Sequence, residues 1–432
     1  MKVLIIDTVG SAGLDLAMRA QDHGHAVRYY NLPKEWDTGE GLVDRVEEWE
    51  PLMDWADLVV PTGNNLYEAA LAPYFGKGYP IFGANAKGAE LELDRELGQR
   101  VLEEHGVQVV PYHTVKDIDE ALGIVCETRK AYAIKPWGGT TDKALTCVAR
   151  DADEAVFMLK RWQADGLDGQ LMLQEKINGV EMGIAGWFGP GGWSAALEES
   201  FEHKKFLVGD LGCNTGEMGT VIRHVKRSRL FAEVLEPVTD YLHAINYVGD
   251  CSVNCIINDD GAWPLEFTCR LGWPDFLIRQ AVIESDPVEW MADLLRGTDS
   301  LEVSTDIAVG VLLVHGNFPG EGEDKYWSGY PISGMSREIQ HQLHYQQMKF
   351  GTIPTLINGE VKDVPADVTA GNYIMVVSGT GRTVRSAQKD AYGAIRQLAI
   401  PSNLGYRTDI GDRLADDLKE LQAGGYARGM EF

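Results

Sequence analysis

Glu266 lies in the apolar run Pro264-Leu265-Glu266-Phe267-Thr268-Cys269-Arg270-Leu271-Gly272, just before a turn at Trp273-Pro274-Asp275. A carboxylate leaving a strand beside a guanidinium suits a Mg²⁺-bound triphosphate: the metal takes oxygen ligands, and arginine pairs bidentately with phosphate or carboxylate. The same spacing also makes ordinary surface pairs, so its weight depends on what lies upstream. There, Ala131-Tyr132-Ala133-Ile134-Lys135-Pro136 reads as a strand ending on a lysine, followed by Trp137-Gly138-Gly139-Thr140-Thr141-Asp142-Lys143. Both lysines can point at one phosphate chain while N–H groups of the Gly-Gly turn cradle it. A plain hairpin with solvated lysines is the alternative, but a lysine on so apolar a strand calls for a partner.

Gln174-Glu175-Lys176-Ile177-Asn178-Gly179-Val180-Glu181 continues a strand into a turn that can offer backbone groups to a purine and Glu181 to a ribose hydroxyl. Glu202-His203-Lys204-Lys205 and Gly209–Gly219 form the longest polar, glycine-dense stretch. Such a stretch either wraps a small anionic substrate or is a surface Ω-loop. The histidines His113, His224 and His315 stand alone and read as structural, and no Ser/His/Asp arrangement occurs.

These groups need elements to hold them. Residues 2–7 read as a buried parallel strand, followed by a glycine turn at Gly10–Gly13, a helix to about His23 and a strand at Ala26–Tyr30. This is the opening of a doubly wound sheet. Further strands are expected at Leu58–Pro61 and Pro80–Gly83, so Gly10–Gly13 and Thr62–Asn65 are candidate substrate loops at strand carboxyl ends. The glycine loop departs from G-x-G-x-x-G and no acid closes the second strand, which leaves little for a dinucleotide. A helix is expected from Leu91 to His105. A small α+β lobe follows, with strands at Ala131–Pro136, Ala144–Val148 and Gln170–Glu175 and a helix at Ala152–Gln163. Strands at about 183–188, 194–199, 250–257 and 262–267 then alternate with helices at about 229–245 and 275–296. Asp306–His315 starts a last β-rich region with a closing helix at Val384–Leu398, and Gly316–Gly322 is the expected hinge into it.

The expected fold class is therefore α/β. An N-terminal doubly wound sheet (1–92) is followed by a central unit (93–112 and 187–318), an inserted lobe (113–186) and a small β-rich C-terminal part (319–432). A chain of 432 residues is too long for one ordinary core, and 44% hydrophobic with 24% charged residues is the composition of a folded protein. The net charge of -26 argues against nucleic acid as a partner, since phosphate backbones require a basic face. Six scattered cysteines without a Cys-x-x-Cys pair argue against a disulfide framework or zinc site. With no signal peptide and no apolar run of about 18 residues, a cytoplasmic protein without membrane contact, monomeric or homodimeric, is expected.

In this order, the segments resemble the ATP-grasp superfamily and, more narrowly, the phosphoribosylamine–glycine ligase (glycinamide ribonucleotide synthetase) family of purine biosynthesis. Lys135 and Lys143 are similar to that family's two lysines around a glycine loop, and Gln174 to Glu181 to its Glu-Glu-Phe-Leu-Asp-Gly-Glu-Glu. Glu202-His203-Lys204-Lys205 resembles Asp-His-Lys-Arg, and Gly212 to Gly219 resembles Gly-Pro-Asn-Thr-Gly-Gly-Met-Gly. Glu266 to Asp275 resembles Glu-Phe-Asn-Cys-Arg-Phe-Gly-Asp-Pro-Glu, and Gly405–Gly411 the closing segment. The resemblance implies a ligase that phosphorylates a carboxylate with ATP to an acyl phosphate, which an amine attacks. It implies that Arg95, Lys135, Gly138, Gly139, Lys143, Glu175 and Glu181 bind ATP, with Lys143 on a lid. Glu266, Thr268 and Asn254 would hold Mg²⁺ (or Mn²⁺), and Arg270, Lys204, Asn214, Thr215 and Gly216 would serve the acid and its acyl phosphate. Implied substrates are ATP, glycine or a similar amino acid, and an amine.

Departures cluster at the amine end. Gly10-Ser11-Ala12-Gly13-Leu14-Asp15 stands where the family has Gly-Gly-Arg-Glu-His, and Thr62-Gly63-Asn64-Asn65 where it has a Gly-Pro-Glu loop. Arg95 replaces a lysine and Thr268 a metal-ligating asparagine. Two further readings therefore stand beside the first: a ligase with a different amine acceptor, in nucleoside modification or secondary metabolism, and a catalytically silent nucleotide-binding module.

Overall fold

In the computed structural model of the chain, residues 1–432 are described except 9–11, 33–36, 66–67, 138–145, 168, 320–326 and 403. Val3 to Ile6 are fully buried in β1 (Lys2–Asp7), and α1 (Gly13–Asp22) leads back to β2 (Ala26–Asn31). With β3 (Leu58–Pro61) these strands form a parallel sheet in the order β2-β1-β3. The strand expected at Pro80–Gly83 is only a single parallel bridge between Val59 and Ile81. After α2 (Glu68–Phe75), the helix expected over Leu91–His105 is instead two, α3 (Ala86–Leu93) and α4 (Arg95–Glu104). Asp94 divides them: its backbone is extended and its carboxylate accepts the N–H groups of Glu96 and Leu97, an N-cap that starts α4 afresh. The break sets Glu92 and Arg95 on either side of one corner.

The inserted lobe contains β4 (Tyr112–Val115), α5 (Ile118–Thr128), β5 (Tyr132–Trp137), β6 (Cys147–Val148), α6 (Ala152–Ala164) and β7 (Gln170–Glu175). Its antiparallel sheet runs β4-β7-β5-β6, and Asp117 and Asp151 cap its helices. Ile118, Val125, Tyr132, Ile134, Leu159, Leu171 and Leu173 form a core of its own. Strand alternation puts Ala133, Lys135, Met172 and Gln174 on the other face, where Ala133 pairs with Gln174 and Lys135 with Met172.

The large antiparallel sheet starts with β8 (Val180–Gly189), β9 (Gly192–Trp193), β10 (Leu197–Glu202) and β13 (Gly219–Val225), while β11 (Lys205–Leu207) and β12 (Leu211–Asn214) pair with each other outside it. Next come α7 (Arg229–Val234), α8 (Thr239–Ala244), β14 (Gly249–Asn258), β15 (Gly261–Thr268), α9 (Asp275–Arg279), α10 (Glu289–Leu295) and β16 (Ile307–Val314). The C-terminal part adds β17 (Leu343–Tyr345), β18 (Met348–Ile357), β19 (Glu360–Thr369), β20 (Tyr373–Gly381), α11 (Val384–Ile395) and α12 (Leu414–Ala423). The strand order is β15-β14-β8-β10-β13-β16-β20-β17, with β9 beside β8, so β16, β20 and β17 continue the central sheet.

The two long helices expected in this region are each interrupted. Pro237 lies in a 3-10 turn between α7 and α8, where it offers no N–H to continue a helix. Asp286, between α9 and α10, accepts the N–H groups of Val288 and Glu289. The strand expected at 194–199 starts later, because the Ser194 hydroxyl is tied to Asp299 before β10 begins. Leu414, Leu418 and Leu421 bury one face of α12, a helix beyond the expected closing helix at Val384–Leu398. The hinge expected at Gly316–Gly322 falls partly outside the described residues, and no helix among them is long and apolar enough to cross a membrane.

Candidate functional site

Four neighbouring strands lay down a row of oxygen donors. Gly183 of β8 pairs with Ser200 of β10 on one side and Asn254 of β14 on the other, and Asn254 pairs with Glu266 of β15. A Cβ on Gly183 would lie 2.3 Å from Ser200 Oγ and 2.8 Å from Asn254 Oδ1, so only glycine lets both side chains converge over it. Ser252 pairs with Thr268, and strand alternation puts Glu266 and Thr268 on the same side, with a bulge in the β14–β15 register just beyond Asn254. Ser200, Ser252, Asn254, Glu266 and Thr268 thus line one chamber of about 120 Å³, together with Glu202, Lys204, Glu217, Arg270 and Asp275. A carboxylate, an amide and hydroxyls without a thiol or imidazole form a donor set for a hard, oxygen-seeking cation such as Mg²⁺.

Cations ring this floor. Arg95 Nη1 comes within 3.2 Å of Glu266 Oε2. Lys204 Nζ sits 2.9 Å from Glu181 and 3.1 Å from Glu202. Burial works against the Lys204 charge, but Glu181, Glu202 and Glu266 outweigh it and hold its pKa well above the lysine range. Lys135 comes from the inserted lobe. Burial pulls its pKa down to about 8; Glu266 opposes this, while Arg95 and Lys204 add to it. A buried ammonium among other cations is poised for a polyanion, which would raise its pKa again.

A second chamber, of about 400 Å³, opens beside the first and shares Gly216, Arg270 and Trp273 with it. Thr8, Thr62, Asn64, Asn65 and Glu92 line it, so the loops after β1 and β3 reach it. Glu92 joins the two sides. Its carboxylate accepts the amide of Asn64 at 2.8 Å, the N–H of Cys269 at 2.9 Å and Arg270 Nε at 3.2 Å. A Cβ on Gly216 would meet the Trp273 ring at 2.8 Å, and that close approach brings the polar loop against the β15 end.

The loop itself is a hairpin of β11 and β12. Thr215 donates its N–H and its hydroxyl to the Lys204 carbonyl, both at 2.8 Å, which fixes Lys204. Asn214 reaches toward the inserted lobe, donating to the Thr146 carbonyl at 3.3 Å. Glu175 is salt-bridged to Lys130 on the lobe surface. Gly138, Gly139 and Lys143 lie outside the described residues, as does part of the Gly10–Gly13 loop. The structure thus brings Arg95, Lys135, Glu181, Lys204, Gly216, Asn254, Glu266, Thr268 and Arg270 to one cleft, with Asn214 and Thr215 holding its wall. Glu175 stands further out.

Sequence reasoning missed several side chains here. Glu92 gave no signal because its partners come from Asn64 and from residues far along the chain. Arg279 is fully buried and ion-paired to Glu198 at 2.6 Å and Asp250 at 2.7 Å, as well as to Asp275. Glu217 was within sight, in the glycine-dense stretch. Gln174 is buried with neither amide atom hydrogen-bonded, on the same lobe face as Lys135. Such an orphaned amide suits a heterocycle that brings its own donor and acceptor.

Comparison with known proteins agrees with this geometry. Residues 94–276 match the family model of the phosphoribosylglycinamide synthetase ATP-grasp (A) domain. The phosphoribosylamine–glycine ligase of Ralstonia nicotianae is 28% identical over 352 residues, covering 78% of this chain and 79% of the relative. Among solved structures, the phosphoribosylamine–glycine ligase of Thermotoga maritima superposes with a TM-score of 0.72 at 18% identity, over 95% of this chain and all of that one. An N5-carboxyaminoimidazole synthetase of Staphylococcus aureus complexed with ADP gives 0.57 at 15% identity, over 91% and 97%. The fold is the one shared by these solved structures, and the ATP-grasp match covers residues 94–276. Within that superfamily the chain resembles the phosphoribosylamine–glycine ligases.

Proposed function

We propose that this chain is an ATP-dependent carboxylate–amine ligase. It joins glycine or a similar amino acid to an amine such as phosphoribosylamine through an acyl phosphate, releasing ADP and phosphate. One observation carries the reading: Lys135, Arg95, Lys204 and Arg270 converge on a strand-built oxygen row in a cleft whose two sides have separate cores.

In this reading residues 1–92 carry amine-binding loops, 93–112 and 187–318 the catalytic floor, 113–186 the lid, and 319–432 the C-terminal part. Glu266, Asn254 and Thr268 would hold Mg²⁺, which, when bound, neutralises charge on the phosphate oxygens. Lys135, Lys143 and Arg95 bind the triphosphate, Gly138 and Gly139 cradle it, and the Gln174–Glu175 strand end and Glu181 receive adenine and ribose. Arg270 orients the carboxylate of the acid. It also offsets charge on the acyl phosphate, with Lys204 opposite and Asn214, Thr215 and Gly216 shaping the wall.

A different amine acceptor is the second reading; the named relatives speak for the first, and one feature of the larger chamber keeps the second in the test. Among its described lining residues Arg270 is the single cation, already paired to Glu92, which leaves hydroxyls and amides for a phosphate on the amine. Both readings are tested by ADP release from Mg²⁺-ATP with glycine and a panel of amines that includes freshly made phosphoribosylamine. Release dependent on phosphoribosylamine supports the first, release with other amines alone supports the second, and none with any acid or amine rejects both.

A further inference from the structure

Glu217 is a buried carboxylic acid in the wall of the smaller chamber, only 2% exposed. Its place is fixed on both sides. Gly216 before it abuts Trp273, and Met218 after it donates to the His203 carbonyl at 2.8 Å and accepts from Leu312 at 3.0 Å. Yet its Oε1 is buried without a hydrogen-bond partner. The chamber's cations are all engaged elsewhere: Lys204 with Glu181 and Glu202, Arg270 with Glu92, and Arg279 with Glu198, Asp250 and Asp275. Asp275, lining the same chamber, also has a buried oxygen, Oδ1, without a partner. Burial, with Glu202 and Asp275 adding to it, pushes the Glu217 carboxyl well above its usual range. An arriving cation reverses that effect. Leaving two such oxygens unmet costs stability, which a substrate bearing donors recovers on binding. In the motif that this loop resembles, Gly-Pro-Asn-Thr-Gly-Gly-Met-Gly, a glycine stands at the place of Glu217.

We infer that Glu217, with Asp275 beside it, receives the α-ammonium of the amino-acid substrate, so that the chamber selects an α-amino acid over the corresponding hydroxy acid. The assignment rests on the ligase reading above. It adds the group that holds the amino end while Arg270 and the Glu266 row face the carboxylate end. An ammonium offers three N–H donors, and the two orphaned carboxyl oxygens supply acceptors of opposite charge. The chamber of about 120 Å³ suits an acid of glycine's size.

The test uses the full-length protein with Mg²⁺-ATP, glycine or glycolate as the acid, and hydroxylamine to trap the acyl phosphate as hydroxamate. Wild type should prefer glycine. Glu217→Gln keeps the shape and loses the charge; its KM for glycine should rise about 10- to 100-fold, the worth of one charge-assisted hydrogen bond, and its preference for glycine should collapse. Its KM for ATP should not move. Glu217→Asp, which keeps the charge on a shorter arm, should retain the preference with a smaller rise in KM. Wild-type KM and preference in Glu217→Gln, or a Glu217→Asp variant as indiscriminate as Glu217→Gln, overturns the assignment. Absence of hydroxamate with any acid in wild type is a separate result, since it rejects the ligase reading itself.

Discussion

Arg95 Nη1 lies 3.2 Å from Glu266 Oε2, close enough for an ion pair but not aligned as a hydrogen bond. The guanidinium is buried while the Glu266 side chain is 42% exposed and lines the chamber. Glu266→Gln keeps the volume and removes the anionic oxygen, which should lower turnover at least about 100-fold, as loss of a charge-stabilising group does. Thermal unfolding should change little. Wild-type turnover in that variant would remove Glu266 from the metal row.

Glu92 ties three parts of the cleft together through Asn64, Cys269 and Arg270. Glu92→Ala leaves a buried amide and N–H unmet and frees a guanidinium that is itself a third exposed. Because Arg270 can then find water, the loss in unfolding free energy should sit near about 2–3 kcal/mol, at the low end for a broken pair. KM for the acid and amine should rise more than KM for ATP, since Arg270 and the Asn64 loop lose their registration. Equal effects on all three substrates would mean that Glu92 acts only on the fold.

Beneath the chamber, Arg279 holds Glu198, Asp250 and Asp275 together. Burial disfavours its charge, but Asp250, Asp275 and Glu198 outweigh that and hold its pKa well above the arginine range. Arg279→Met strands the buried carboxylates and should cost at least about 3–5 kcal/mol in denaturant unfolding. A loss under about 1 kcal/mol would show that the cluster is not held by this guanidinium.

Asp7 supports the first loop by accepting from Thr8 and Gly13 N–H groups and from the Tyr29 and Thr62 hydroxyls. Burial raises its pKa to about 6, against these four donors. A carboxyl raised in the folded state contributes stability while protonated, at pH below its unfolded value near 3.8, and loses it as pH climbs through about 6. Asp7→Asn does not titrate. Its stability relative to wild type should therefore improve by up to about 3 kcal/mol between about pH 4 and about pH 8. A difference flat with pH would show that Asp7 is not shifted.

What the sequence made legible was local. The apolar run at Val3–Ile6, the Lys135 strand and the Glu266–Arg270 segment each carry their pattern within a few residues, so strand, cation and acid could be placed in order. The breaks at Asp94 and Pro237 were present as a cap residue and a proline, but helical periodicity on both sides hid them. Glu92 was not legible because Cys269 and Arg270 lie 177 and 178 residues further on, and Glu198 and Asp250 were not because they reach Arg279 of α9 from two separate strands. Glu217 was visible only as one acid in a glycine-rich loop. Burial, which sequence does not give, is what sets it apart.

The central claim is that the carboxylate is activated as an acyl phosphate in the chamber between Lys135, Arg270 and the Glu266 row. It is tested most directly with glycine carrying oxygen-18 in its carboxylate, Mg²⁺-ATP and the amine that supports ADP release, with the product phosphate read by mass spectrometry. Acyl-phosphate chemistry transfers one labelled oxygen from the acid to each phosphate released. Turnover that yields phosphate without label would contradict the account.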